Sequence, residues 1–434
     1  VATRDDRRDE PGDAHADGPS GAARGEHLDE QWEALCETLR RAGGRVLAEG
    51  APTAPFERAE GFRYLLRFLT AGVRTCVENA DPDHPELCRM MDRGRTWGLD
   101  CPDCLYLYAP VRGDATYRLF GTRGSANVFD AQVNYGHFAS GDIASWGTYD
   151  SRSHLDLQVD PDGRFELVIA PEGSAPSSAD AGSPHTGSGR AGSGNVLRMG
   201  PDAEFVLVRQ YFADWEGERP ADLWIERVGG PVSAPAPRPD QMAARLERLC
   251  EWLEKGGALW EQMSRSFLAQ PPSDFRVFKP PDEDVRGGLA GQAYGMGGYR
   301  CGPDEAVVVE LAPPACRHWS VSLATYWWET VDFGSRQSSL NHHQARLDAD
   351  GLFRGVIAHA DPGVPNWLDA AGHERGTLAI RFLRAEAAPE IRLRTLPLAR
   401  VRDALPADTP RVEPAEREAA LRRRHRAVMA RYRR

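Results

Sequence analysis

The residues best suited to chemistry crowd into one short stretch: His359-Ala-Asp361-Pro-Gly363, then Asn366-Trp367-Leu-Asp369, then Gly372-His373. Side chains alternate along an extended segment, so His359 and Asp361 point the same way, as a general acid and base would have to. A histidine and an aspartate so spaced on a strand are also how non-haem iron oxygenases present two of three facial ligands, with His342, His343 or His373 to complete the set. The third reading is a turn. Asp361-Pro-Gly363 lets a carboxylate accept backbone hydrogen bonds while glycine takes a positive φ. A metal-free polar site, an iron site and a structural turn all stay open on these residues alone.

Arg209 and Arg381 each end an apolar strand in similar local sequence, where a guanidinium can clamp a carboxylate or phosphate bidentately or serve as a structural ion pair. Tyr106, Tyr211 and Trp215 in the first half, and Asn366, Trp367, Trp319, Tyr326, Trp327 and Trp328 in the second, supply the polar and aromatic surface that lines small-molecule pockets, or else ordinary core. The candidate set is therefore His359 and Asp361 as catalytic groups, with Asn366, Trp367, Arg381, Arg209, Tyr211, Trp215 and Tyr106 around a substrate. No metal or cofactor is expected, iron remaining the minority reading.

Other motifs carry less. Cys101-Pro-Asp-Cys104 leads straight into a strand with no second pair or nearby histidine in sequence, so it reads as two semi-buried thiols before zinc or redox chemistry. Asp81-Pro-Asp-His-Pro-Glu86 has carboxylates enough for a divalent ion, yet its prolines fit a solvated loop. Gly187-Ser-Gly-Arg-Ala-Gly192 matches a dinucleotide fingerprint, but no strand precedes it and no helix follows. A GxSxG elbow, an HExxH helix and a P-loop are all absent from the sequence.

A hydrophobic fraction of 41% in 434 residues can bury two cores, and a net charge of −11 disfavours nucleic acid as the main partner. Lys255 and Lys279 are the only lysines, which argues against a Schiff-base mechanism. No stretch approaches the roughly 18 apolar residues of a membrane span, and the first residues lack the apolar core of a signal peptide. A cytoplasmic protein with free thiols at its eight cysteines is the expectation. A small-molecule ligand is expected as partner, without nucleic acid or membrane, and a homo-oligomer is left open.

The elements that must position these residues are written twice. Asp160-Pro-Asp-Gly-Arg-Phe165, Val168-Ile-Ala170, Asn195-Val-Leu197 and Phe205-Val-Leu-Val-Arg209 return in order as Asp348-Ala-Asp-Gly-Leu-Phe353, Val356-Ile-Ala358, Asn366-Trp-Leu368 and Leu378-Ala-Ile-Arg381. Upstream, Leu105–Pro110 and Tyr117–Leu119 echo Val308–Pro313 and Trp319–Val321. Short β-branched and aromatic runs broken by Gly, Asp-Gly and Pro predict a mainly β protein of two tandem antiparallel β-sandwich, jelly-roll-like domains with added helices. The expected layout is a disordered tail (1–25), a helical segment (26–96), a first sandwich (97–230) with a flexible insertion (174–194), linker and helices (231–274), a second sandwich (275–405) and a basic C-terminal helix (406–434). Apolar spacing places one helical stripe on Leu28, Trp32, Leu35 and Leu39 and another on Phe62, Leu65, Leu66, Leu69, Val73 and Cys76. Gly256-Gly257 predicts a break between two helices. The arginine-rich last helix reads as docked on its own protein before any nucleic acid or membrane.

Asp100-Cys-Pro-Asp103-Cys-Leu-Tyr106, Val206-Leu-Val-Arg209-Gln-Tyr211 with Asp214-Trp215, and Asp361-Pro-Gly-Val-Pro-Asn366-Trp-Leu368 with Gly376 and Arg381 resemble the bacterial proteins grouped as domain of unknown function 1214. The likeness runs over residues 55 to 434, departing at Cys101, where asparagine is expected. It implies a jelly-roll-type sandwich, often paired in one chain, and brings no settled reaction. Whether the chain is an enzyme is left open. The leading expectation is a bacterial enzyme acting by acid/base chemistry on an apolar metabolite in a β-sandwich pocket, the others a non-catalytic carbohydrate- or metabolite-binding protein and a non-haem iron oxygenase.

Overall fold

The structure, a computed structural model, describes residues 21–174, 195–271, 275–278, 292–385, 387 and 389–433. Residues 1–20 of the expected tail and 175–194 of the expected insertion lie outside the described residues, while 21–25 open the first helix. Among the described residues no helix is long and apolar enough to cross a membrane.

Helices α1 (Gly21–Val46) and α2 (Pro55–Gly72) form in the expected segment, and most of each expected stripe packs on the core: Leu35 and Cys76 are buried, with Leu28, Leu39, Leu65, Leu69 and Val73 partly buried against the same cluster. Trp32, Phe62 and Leu66 are exposed, and α2 adds Gly61, Tyr64, Phe68, Ala71 and Gly72 to its buried side. Small residues decide this. A Cβ at Gly61 would lie 2.5 Å from the Trp327 ring, and one at Gly72 would lie 2.6 Å from Trp252. The glycines seat two large indoles beside the leucines of the stripe. The expected break at Gly256-Gly257 is absent. Helix α3 (Pro239–Glu251) runs through a π-helical turn (Trp252–Gly256) into α4 (Gly257–Leu268), and both glycines keep right-handed helical angles. Their role is close approach: Cβ atoms there would meet Phe138 O at 3.0 Å and Arg45 Nη2 at 2.8 Å.

The first unit holds β1 (Cys88–Met91), β2 (Cys104–Pro110), β3 (Tyr117–Thr122), β4 (Val128–Tyr135), β5 (Gly147–Ser153), β6 (Arg164–Pro171), β7 (Val196–Met199), β8 (Ala203–Tyr211) and β9 (Asp222–Arg227). The second holds β10 (Arg276–Phe278), β11 (Gln292–Arg300), β12 (Glu305–Leu311), β13 (His318–Ala324), β14 (Ser339–Asn341), β15 (Phe353–Ala358), β16 (Trp367–Asp369), β17 (Arg375–Leu383) and β18 (Ile391–Pro397). Sheet orders are β1-β2-β8-β4-β5 with β7-β6-β3-β9, and β10-β11-β17-β13-β14 with β16-β15-β12-β18. Adding nine to each strand of the first unit gives the second, strand for strand, as two copies of one sandwich require. Two details differ from expectation. Each unit contains one parallel pair, β6–β7 and β15–β16. The upstream echo is also offset by one strand, since Val308–Leu311 lies in β12, the counterpart of β3 and not of β2. Short apolar runs ending in Ala-Pro look alike, and only pairing separates them.

Alternation then sorts each central strand into two faces. On β8, Val206 and Val208 enter the first sandwich core, while Phe205, Leu207 and Tyr211 face away from it. On β17, Leu378, Ile380 and Phe382 enter the second core, while Ala379 and Leu383 face away. These outward faces meet each other and the helices in one shared cluster that includes Trp97, Trp252, Trp260, Trp327 and Trp328. Helix α5 (Pro414–Arg431) straps the halves together. Arg417 bonds Asp361 (2.9 Å) and Gln337 (2.8 Å) of the second unit, and Arg431 bonds the carbonyl of Pro102 (2.7 Å) ahead of the first. The basic helix therefore spends several of its charges inside its own protein.

Candidate functional site

The sequence-selected residues separate into two groups. His359, Asp361 and Asn366 belong to the return loop that brings β16 back parallel to β15, and Trp367 opens β16. Asp361 accepts from the Gly363 amide (2.9 Å), with Gly363 at φ 67°, and its other oxygen takes Arg417. His359 Nε2 contacts the Cys301 carbonyl at 2.8 Å. Asn366 accepts from Arg346 N (2.9 Å) and donates to the carbonyls of Arg346 (2.7 Å) and Arg354 (3.1 Å). Asn195, its counterpart, bonds Gln158 N, Gln158 O and Glu166 O in the same pattern. Trp367 donates to Ala358 O (3.0 Å) and lies under the Arg417 guanidinium. The turn reading holds here. Of the expected catalytic pair, Asp361 is engaged in a turn and a helix clamp and His359 in a backbone contact, and Asn366 is a staple repeated in both copies. Among the described residues no three His, Cys, Asp or Glu side chains cluster to hold a metal ion, so His342, His343 and His373 do not complete an iron set with His359.

Tyr106, Arg209, Tyr211 and Arg381 do converge. All lie on the outward faces of the central sheets, where the two sandwiches meet. Register fixes the neighbours: Arg209 stands between Tyr106 and Asp130, and Arg381 between Tyr294 and Ser320. Arg209 donates to Gln132 Oε1, and Arg381 to Ser322 Oγ (3.3 Å) and the Leu99 carbonyl. The Arg381 guanidinium also lies 5.9 Å from the Tyr294 ring centre. Burial raises the phenols of Tyr106, Tyr211 and Tyr294 above their ordinary values and pushes the Cys101 thiol up to about 11, despite the arginines. These groups are therefore neutral donors at pH 7, not bases or nucleophiles. Trp215 stands at the margin, its indole N–H donating to Asp103 Oδ1 (2.8 Å), which Asn341 also binds (2.7 Å). Burial works against ionisation of Asp103, yet His318 at 3.4 Å and Asn341 hold its carboxyl below the usual range.

Asp130 was not singled out by sequence, and it connects this core to the surface. It is buried, its Oδ1 has no hydrogen-bond partner among the described residues, and burial raises its pKa to about 7 against the pull of Arg209 and Arg384. Arg384 lines a crevice of about 390 Å³ between the units, with His154, Leu155, Ala315, Cys316 and Arg317. His154 has no partner for either ring nitrogen among the described residues, and burial with Arg123, Arg317 and Arg384 nearby keeps its pKa low. The crevice is positive and the carboxyl behind it titrates near neutrality. One signal existed: Asp130, Gln132 and Asn134 alternate with Phe129, Ala131 and Val133. That pattern reads as a solvated face until a second sheet covers it.

Fold and site thus define a tandem β-sandwich protein with a charged interdomain face. The chain belongs to the family of an uncharacterized protein from Burkholderia cenocepacia whose crystal structure it matches at 30% identity and TM-score 0.78, over 87% of this chain and 99% of that one. A looser likeness, at 13% identity and TM-score 0.44, covers 77% of this chain and 98% of a Vibrio parahaemolyticus protein. No family model matches the chain, and no curated protein does.

Proposed function

We propose that this chain is a bacterial protein of small-molecule metabolism that takes the anionic end of an otherwise apolar metabolite into the interdomain crevice and works by acid–base chemistry through Asp130. The observation that carries this reading is the buried Asp130 carboxyl, one oxygen unpartnered among the described residues, in register with Arg209 of the core and under the electrostatic influence of Arg384, which lines the crevice. Arg317, Arg384 and His154 would draw in and orient a carboxylate, while Arg209 and Arg381 maintain positive potential behind it. A buried carboxyl titrating near 7 can take and return a proton at neutral pH. Both sandwich interiors are filled by apolar side chains, which favours a ligand between the sandwiches over one inside either. A cytoplasmic setting belongs to the same reading, supported by eight free cysteines. The resemblance to domain of unknown function 1214 proteins accords with it and adds no reaction.

The test compares benzoate and octanoate with their amides by thermal melting at pH 7. The acids are expected to raise the melting temperature and the amides to leave it unchanged, with the effect lost in Arg384→Ala. Equal shifts from acids and amides, or an undiminished shift in Arg384→Ala, would contradict the reading.

A further inference from the structure

We infer a second, separate anion site, built for a phosphoryl group, in the groove between the last turns of α5 and the loop after β8. The groove measures about 420 Å³ and is lined by Arg219, Arg423, Arg426, Arg431 and Arg433 with Glu216 and Glu218 as its acids, five cations against two anions. Not all of those charges are available. Arg219 donates to the carbonyls of Glu216 (2.7 Å) and Glu218 (3.1 Å), and Arg423 stands 3.8 Å from the Glu216 carboxylate. Glu218 is itself consumed by the backbone amides of Asn127, Ala213 and Asp214. Arg426 and Arg433 are exposed and make no side-chain hydrogen bond or ion pair among the described residues.

Arg431 is the decisive member. Its side chain is only 4% exposed, and its guanidinium is held 4.5 Å from the Trp215 ring centre and 4.7 Å from that of Phe212. One terminal nitrogen donates to the Pro102 carbonyl at 2.7 Å, while the other is buried with no partner. Arginines in a last helical turn are ordinarily explained by the helix dipole. The dipole accounts for the charge of Arg431, but it does not explain a buried guanidinium nitrogen left without an acceptor on a residue that lines the groove, which costs on the order of 1–3 kcal/mol. An anion removes that cost. Subtracting the two glutamates from the five arginines leaves three positive charges around the groove, more than a monocarboxylate offsets and suited to a tetrahedral dianion met by planar forks from several sides.

The experiment is calorimetric titration of the full chain with pyrophosphate at fixed ionic strength. Saturable binding is expected, weakened about tenfold by Arg426→Ala, the loss of one charge-assisted contact. Arg422→Ala removes the same charge from the same helix, but Arg422 pairs with Glu418 outside the groove, and it should leave affinity unchanged. Arg431→Met should abolish binding; if it fails to fold, the Arg426→Ala, Arg433→Ala double variant takes its place. Absence of saturable binding, or equal weakening by Arg422→Ala, overturns the site.

Discussion

Arg209 and Arg381 stay charged although buried, because a guanidinium does not deprotonate under any physiological condition, so the fold has to solvate them with carbonyls, hydroxyls and aromatic faces. Carboxyls have the other option. Glu329, fully enclosed with Arg67 at 2.7 Å and Thr96 as partners, is pushed by burial to about 7 in spite of Arg67. The unfolded chain releases this proton near pH 4.5, whereas the folded chain holds it to about pH 7, so stability from this group is complete below pH 4.5 and declines as pH rises through that window. Glu329→Gln should remove the decline and leave the variant relatively more stable at pH 8, by on the order of 1–3 kcal/mol in denaturant melts. An unchanged slope between pH 4.5 and 7 would refute burial as the cause. At this scale the sequence pointed to Arg209, Arg381, Tyr106 and Tyr211 through residue type and repetition. It could not point to Asp130 or Glu329, whose significance comes entirely from what covers them.

The return loop from His359 to Asn366 shows how an element can imitate a site. Histidine, aspartate, asparagine and tryptophan gather there because a chain that must reverse and lie parallel to its predecessor needs a turn, a staple and a lid, and polar side chains supply all three. Domain duplication exposes the difference, since Asn195 and Asn366 make matching bonds in both copies. Replacing Asn366 by alanine leaves part-buried backbone groups unpaired and should cost about 1–3 kcal/mol of stability, replacing Asn195 should cost less because its partners at Gln158 are exposed, and neither should alter the carboxylate-induced rise in melting temperature. If Asn366→Ala melts like the parent but loses that rise, the asparagine is a ligand group after all. Strands were legible from their β-branched runs, and so was the order of the later repeat. The leucine sides of α1 and α2 were legible as well, but the side of α2 built on Gly61 and Gly72 was not, because those glycines matter through Trp327 and Trp252, which are far away in sequence.

For the whole molecule, duplication placed two sheets whose outward faces could not both remain in water with their tyrosines and apolar residues exposed. Packing them together buried those surfaces, and it trapped polar groups that belonged to an exterior face. Such trapped charge is what makes the junction a candidate site, and α5, anchored at Asp361 on one unit and Pro102 beside the other, holds it closed. The tandem architecture could be read from the repeat, whereas the site could not, since it lies between copies and no pattern within one copy encodes it. The most direct measurement is to soak crystals of the protein with 4-bromobenzoate at pH 7 and locate bromine by anomalous scattering. One ordered molecule is expected in the interdomain crevice, its carboxylate within hydrogen-bond distance of Arg384 or Arg317 and facing Asp130; bromine bound beside the His359–Trp367 segment, with the crevice empty, would contradict binding between the units.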